Sequence, residues 1–294
     1  MTGTISHTDL ILNPDGSIYH LHLLPGDIAD TIILVGDPGR VAQVAAHFDQ
    51  VNTRKKNREF HSCTGTYREK EITVISTGIG TDNIDIVVNE LDALVNVDLV
   101  YRKVREEHKQ LNLVRLGTSG ALHADIPVGS LLLSEIAGGL DNLYHFYQDK
   151  DTAALTDLTD NFMKHCSWKE ELSHPYFIPC SGELYSRFIS NEVFPGITLS
   201  TPGFYGPQLR SLRLAPSDSS LLDKFHDFRH GGLRINNFEM ECSALYALSH
   251  MLGHRALTLC VAIANRFSLE FLESYGTRVD EMILYALGKL AAND

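Results

Sequence analysis

Thr31-Ile32-Ile33-Leu34-Val35 is a short, continuous apolar run that breaks abruptly into Gly36-Asp37-Pro38-Gly39-Arg40. A run with no polar alternation suits a core strand, and the Gly-Asp-Pro-Gly that follows suits a tight turn. The pattern recurs. Glu71-Ile72-Thr73-Val74-Ile75-Ser76 runs into Thr77-Gly78-Ile79-Gly80, and Asn112-Leu113-Val114-Arg115-Leu116 into Gly117-Thr118-Ser119-Gly120. Residues 130–136 read as a fourth strand and 256–264 as a buried fifth. Between them the apolar spacing becomes helical: 41–48, 84–95, 241–252 (stopped by Gly253) and 278–292 each carry one apolar face. Alternating buried strands and amphipathic helices predict an α/β domain built on a buried sheet. No repeat, low-complexity tract or Pro/Gly-rich linker divides the chain, and the polar stretch 149–173 gives no clean boundary. Residues 1–294 are therefore read as one domain.

Composition narrows what such a domain can do. Hydrophobic residues make up 44% and charged residues 21%, enough for a sizeable core. The formal net charge of −12 disfavours nucleic acid and anionic membranes as partners. No apolar stretch is long enough to span a membrane, and the N-terminal residues lack the pattern of a secretory signal. Five scattered cysteines (Cys63, Cys166, Cys180, Cys242, Cys260) contain no Cys-x-x-Cys and read as buried thiols in a reducing compartment. The expected location is cytoplasmic. Nothing in the histidine spacing suggests a metal.

In open α/β sheets ligands gather at the carboxyl ends of strands, where backbone N–H groups and helix N-termini point outward. Arg40 and Arg115 stand in or beside two of the glycine turns, and arginine grips phosphate oxygens in a bidentate fashion that lysine cannot match. The Thr118 hydroxyl and neighbouring N–H groups would complete the cradle. Any one of these loops alone reads as an ordinary turn with a solvated arginine; their joint occurrence favours an anion site. In so acidic a chain, that site has to act at close range, within a Debye length of ~8 Å.

Taken in order, Gly36-Asp37-Pro38-Gly39-Arg40, Ser76-Thr77-Gly78-Ile79-Gly80, Arg115-Leu116-Gly117-Thr118-Ser119-Gly120, Phe238-Glu239-Met240-Glu241 and Ala264-Asn265-Arg266 resemble the nucleoside phosphorylase superfamily. The resemblance is to the purine/uridine type, nearest its uridine-cleaving branch, and runs from about residue 18 to the last helix. It implies a single three-layer α/β/α domain with a mixed, partly barrel-like central sheet. It implies a pentosyltransferase that splits uridine reversibly with inorganic phosphate, giving uracil and α-ribose 1-phosphate for pyrimidine salvage. It also implies a homo-oligomer whose active sites are shared between paired subunits.

Carried over position by position, the resemblance gives phosphate to Gly36, Arg40, Arg115 and Thr118, with Arg58 lent by a neighbouring subunit. His20, also lent, would meet the ribose 5′-hydroxyl. Met240 would pack on the sugar, and Glu241 would accept from its 2′- and 3′-hydroxyls; a carboxylate there also stabilises the positive charge that develops at C1′. Phe204 would stack on the base, Gln208 would read uracil N3–H and O2, and Arg210 would donate to O4. Arg115, Glu241 and Arg266 would carry the catalytic load. Arg266 stands where purine-specific relatives place Ser-Asp, whose aspartate protonates the leaving purine; uracil leaves as an anion, for which Gln208, Arg210 and Arg266 suffice.

The chain departs from the family in three places. The segment 96–110 is longer and more charged than in short members. The residues after Arg210, Ser211-Leu212-Arg213-Leu214-Ala215-Pro216, differ from the usual tail. Some relatives hold a monovalent cation between subunits through residues matching Glu59 and the carbonyl of Ile79, but Asn83 replaces their serine, which disfavours the cation here. No cofactor is expected beyond phosphate as co-substrate. Alternatives remain: a phosphorylase of thymidine, deoxyuridine or purine nucleosides; a hydrolytic nucleosidase, which the arginine set opposes; or a non-catalytic nucleoside-binding protein of the same fold.

Overall fold

In β1 (Thr31–Val35), Ile32 and Leu34 face one side and Ile33 and Val35 the other, and all four are fully buried. The structure, a computed structural model, describes residues 3–148 and 154–292. A strand without a wet face needs helices on both sides. One layer is α1 (Pro38–Ala45) with the C-terminal α7 (Gly276–Ala291), which pack Val41, Val44, Val279, Met282 and Ile283 against Ile33 and Val35. The other is α2 (Thr81–Asn96) with α6 (Cys242–Met251), which pack Ile84, Val88, Leu91, Leu245 and Leu248 against Ile32 and Leu34.

The edge of the sheet is a meander of β2 (Gln50–Asn57), β3 (Phe60–Tyr67) and β4 (Lys70–Ser76), with β4 parallel to β1. Its outermost strand, β2, carries Arg54, Lys55 and Lys56, charges that discourage edge-to-edge pairing. A two-stranded ribbon, β5 (Val97–Asp98) and β6 (Lys103–Val104), occupies the charge-rich segment 96–110. There the buried Arg102 donates to the carbonyls of Ile5, Ser6 and Leu10 and stitches the N-terminal segment down.

Next come β7 (Asn112–Ala121), β8 (Leu131–Gly139), α3 (Thr156–Cys166), β9 (Tyr176–Pro179), α4 (Gly182–Phe188) and β10 (Val193–Ser200). They are followed by α5 (Leu221–Asp227), β11 (Arg229–His230), β12 (Leu233–Glu239) and, after α6, β13 (Arg255–Asn265). Eleven strands form one sheet in the order β11-β12-β10-β8-β13-β7-β1-β4-β3-β2, with β9 on β8. The sheet closes on itself where β12 pairs antiparallel with β7, Asn237 opposite Ala121 and Phe238 opposite Gly120. Strands β7, β13, β8, β10 and β12 thus make a mixed barrel, as the family resemblance implies. Phe162, Phe225 and Phe228 from the α3–α5 side cover its outer wall.

Two expectations change. Gly117-Thr118-Ser119-Gly120 is not a turn: β7 continues through it, pairing Thr118 with Val261 and Ser119 with Ala262. Glycine here marks close approach rather than chain reversal, since a Cβ on Gly117 would lie 2.4 Å from Arg115 Nη1. The first helix begins at Pro38 and ends at Ala45 instead of spanning 41–48, because Gly36-Asp37-Pro38 is itself a helix start. The Asp37 carboxylate accepts from Gly39 N at 2.8 Å, and Pro38 takes the first helical position. Of the polar stretch 149–173, α3 accounts for 156–166, and 149–153 lie outside the described residues. Cys63, Cys166, Cys242 and Cys260 are buried, Cys180 is half-buried, and all five are free thiols.

Candidate active site

The carboxyl ends of β1, β4, β7, β12 and β13 open onto a cavity of about 880 Å³. Gly36, Arg40, Arg115, Thr118, Phe204, Gln208, Arg210, Met240, Glu241 and Arg266 all line it. His20 and Arg58 do not. A second cavity of about 730 Å³ lies behind the 204–210 loop, but its wall, including Trp168, Tyr205, Leu209 and Leu214, is mostly apolar and contains none of the predicted residues.

The inner end of the first cavity is built on strands. Arg115, central in β7 and almost fully buried, pairs through Nη1 with Glu239 Oε2 at 3.1 Å and through Nη2 with Glu241. Burial opposes its charge, but Glu241 and Glu239 outweigh that and raise its pKa further. Glu239 caps α6: its carboxylate accepts from Glu241 N at 2.9 Å, from Cys242 N at 3.0 Å and from the Ser200 hydroxyl. Burial, together with the neighbouring Glu241, raises its pKa against the pull of Arg115. Glu241 is held from its other side by Gly80 N at 2.7 Å. Gly80 reaches that contact at φ 102°, a conformation glycine adopts without strain.

Arg40 reaches in from α1 and donates through Nη1 to the Leu116 carbonyl at 3.2 Å. Burial, then the nearby Arg115, lowers its pKa. Two arginines against Glu239 and Glu241 give an electrically balanced interior. Gly36 and Thr118 line the cavity beside Arg40.

The outer end is a loop. Leu209, at φ 59°, takes a left-handed kink that lets Gln208 and Arg210 both enter the cavity. The Gln208 amide donates to the Thr201 hydroxyl at 3.0 Å, while its oxygen accepts from Arg210. Arg210 also donates to the Phe204 carbonyl at 2.6 Å and lies over the Phe204 ring, 3.7 Å from its centroid. The face expected to stack on a base is thus covered by Arg210. Burial, then Arg266, pulls the Arg210 pKa down to about 10. Arg266 donates to the backbone carbonyls of Gln208 at 2.8 Å and Leu209 at 3.2 Å, so it clamps the loop from within.

His20 and Arg58 lie together elsewhere. Arg58 sits over the Tyr19 ring at 5.5 Å, and His20 is bound by Glu90. Glu59, Ile79 and Asn83 do line the cavity, and the Asn83 amide donates to the Ile79 carbonyl at 3.3 Å. Glu239, Ser119, Phe271 and Tyr275 also line it without having been singled out from sequence. Phe238-Glu239-Met240-Glu241 gave a signal for Glu239, a second carboxylate two residues before Glu241. Phe271 and Tyr275 follow β13 in irregular backbone and carry no motif.

Residues 30–286 match the Phosphorylase superfamily. The chain is similar to the uridine phosphorylase of Thermococcus kodakarensis, 30% identical over 257 residues that cover 87% of this chain and 80% of that protein. It is 28% identical over 278 residues to a purine nucleoside phosphorylase of Listeria welshimeri, covering 91% of this chain and 97% of that one. Among solved structures, a Trypanosoma brucei nucleoside phosphorylase described as showing uridine phosphorylase activity superposes with a TM-score of 0.82 at 26% identity, over 95% of this chain and 99% of that chain.

Proposed function

The chain belongs to the Phosphorylase superfamily, and from that premise we propose that it is a uridine phosphorylase, a pentosyltransferase converting uridine and phosphate reversibly to uracil and α-ribose 1-phosphate. The observation that carries this reading is one cavity with a buried Arg40/Arg115/Glu239/Glu241 cluster at its inner end and the Gln208–Arg210 pair at the other. Phosphate sits at Gly36, Arg40 and Thr118 with Arg115 behind it. Met240 and Glu241 orient the ribose. As the bond from C1′ to the base nitrogen lengthens, its electron pair passes to uracil, where Gln208 and Arg210 stabilise the anion and Arg266 keeps them in place. A phosphate oxygen then closes on C1′. Catalysis rests on positioning and fixed charge, with no covalent enzyme intermediate.

The base-end chemistry favours a pyrimidine. The carboxylates lining the cavity are Asp37, Glu59, Glu239 and Glu241, none of them in the 204–210 loop or at Arg266. Asn265, beside Arg266, is consumed structurally: its amide donates to the His123 and Ile126 carbonyls at 2.8 Å. A purine leaving group would lack an acid to protonate it. The Listeria relative keeps purine nucleosides as the second substrate class to test.

His20 and Arg58 lie outside their own cavity, which supports their being lent to a neighbouring subunit in a homo-oligomer. The chain is taken as one domain, since the single sheet runs from β1 to β13. No helix among the described residues is long and apolar enough to cross a membrane; five free thiols support a cytoplasmic location. No cofactor or cation enters the proposal, and the Asn83 amide on the Ile79 carbonyl supports that omission. The test is uracil release from uridine with and without inorganic phosphate. Phosphate-dependent release, faster than release of hypoxanthine from inosine, is expected; equal release without phosphate would make the protein a hydrolase.

A further inference from the structure

His20 is held more firmly than a half-exposed histidine in a turn requires. Glu90, on α2, accepts from the ring Nδ1 at 2.6 Å, from the backbone N of His20 at 3.0 Å and from the backbone N of Leu21 at 2.8 Å. The Glu90 side chain is only 13% exposed. From the other side, the Asn57 amide donates to the His20 carbonyl at 2.7 Å, and Tyr19 packs edge-on to the ring at 4.8 Å. The backbone bonds would anchor the turn by themselves. The bond to the ring does something else: it fixes where the proton sits.

An ionised carboxylate only accepts, and two backbone amides already use Glu90 in that way, so Nδ1 must be the donor. In the neutral imidazole the single proton is then on Nδ1, and Nε2 is a bare acceptor. Among the described residues Nε2 has no hydrogen-bond partner.

We propose that Glu90 is a positioning residue that locks His20 in the Nδ1–H tautomer, so that Nε2 accepts from the ribose 5′-hydroxyl in a neighbouring copy's site. The proposal rests on the preceding reading of His20. It also gives the dyad a role in specificity. A 5′-deoxy sugar has no proton to give Nε2. A 5′-phosphate has none at neutral pH and brings negative charge toward Glu90, so the site selects nucleosides over nucleotides.

Glu90→Gln keeps an acceptor for the backbone amides but can also donate to the ring, and so releases the tautomer. ¹⁵N NMR of the ring should give the Nδ1–H signature in the parent and a mixed or reversed one in the variant. Steady-state kinetics should show KM for uridine up about fivefold, the worth of one neutral hydrogen bond, with kcat within about twofold and KM for 5′-deoxyuridine unchanged. His20→Ala separates the two layers of inference. If it leaves the uridine/5′-deoxyuridine preference intact, the reading of His20 fails and the proposal with it. If His20→Ala abolishes the preference but Glu90→Gln changes neither it nor the NMR signature, Glu90 merely anchors the turn and only the present proposal is overturned. An equal rise in KM for both substrates in Glu90→Gln is overturning too.

Discussion

The two ends of the cavity are built in opposite ways. At the inner end Arg115, Glu239 and Glu241 come from two strands, β7 and β12, and the start of α6, are nearly sealed from water, and each has at least two partners. At the outer end Phe204, Gln208 and Arg210 sit on a loop outside the sheet; Arg210 bonds to Phe204 and Gln208, Gln208 is buried against Thr201, Phe204 is 49% exposed, and Leu209 is held at a positive φ. The inner end is positioned by the fold itself and can change only if the fold does. The outer end is positioned by Arg266 and can change by itself. This is a physical reason for relatives that share the barrel to differ in the base they cleave, as the uridine and purine phosphorylases similar to this chain do.

Removing Arg115 should break the inner end most severely. Arg115→Ala leaves two buried carboxylates facing each other without a cation, and breaking such a pair costs about 3–5 kcal/mol of stability. Loss of a fixed charge beside the reacting atoms adds a fall in kcat/KM of about 10³-fold. Arg115→Lys should recover little, because an ammonium lacks the planar fork that bridges Glu239 and Glu241. Thermal unfolding and phosphorolysis rates measured together check this. A variant as stable as its parent and within tenfold of its rate would mean that the cluster is neither structural nor catalytic.

Arg210→Ala is the matching change at the outer end, with the two effects uncoupled. Arg210 is partly exposed and its side chain hydrogen-bonds to Phe204 and Gln208 of its own loop, so stability should move by less than about 1 kcal/mol. Turnover of uridine should fall about 10²-fold through loss of a donor to the uracil anion, while the KM for phosphate stays put. A fall in Tm as large as that of Arg115→Ala would show that the loop is part of the core, and the contrast between the ends would collapse.

The same contrast governs how much could be read from the amino-acid sequence. Helices α2 and α7 were legible because their apolar residues repeat over four turns, and β1 was legible because nothing polar interrupts it. Barrel closure was not, since the β7–β12 pairing joins residues more than a hundred positions apart and no local pattern encodes it. Gly117 misled for a related reason: glycine signals a turn locally, and only the folded neighbours reveal close packing. Of the site, the identities of Arg40, Arg115, Gln208 and Arg210 were legible through motifs. What they bond to was not. The bonds from Arg266 to the Gln208 and Leu209 carbonyls depend on one left-handed residue, Leu209, in a segment without periodicity.

The weakest expected effect sharpens the comparison through pH. His123 lies behind the outer end: its Nε2 donates to the Ile235 carbonyl at 3.0 Å, and its ring is 4.6 Å from His226, which stacks at 4.1 Å on Phe267, the residue after Arg266. Burial first, then Arg234, pulls its pKa from the ordinary 6.5 down to about 4. Between those values the unfolded chain carries the proton and the native chain does not. The stabilisation is therefore full above about pH 6.5 and is lost as pH falls through about 4. His123→Gln keeps an N–H donor for Ile235 and removes the titration. Between pH 7 and pH 4.5 the parent should lose about 2–4 °C more in Tm than the variant, after allowing for carboxylates common to both. Because His123 reaches the site through His226 and Phe267, beside Arg266, mild acid should raise the KM for uridine in the parent before it raises the KM for phosphate, and His123→Gln should narrow that gap. If both constants rise together in both proteins, acid acts on the inner cluster, and the outer end is not the softer half of the site.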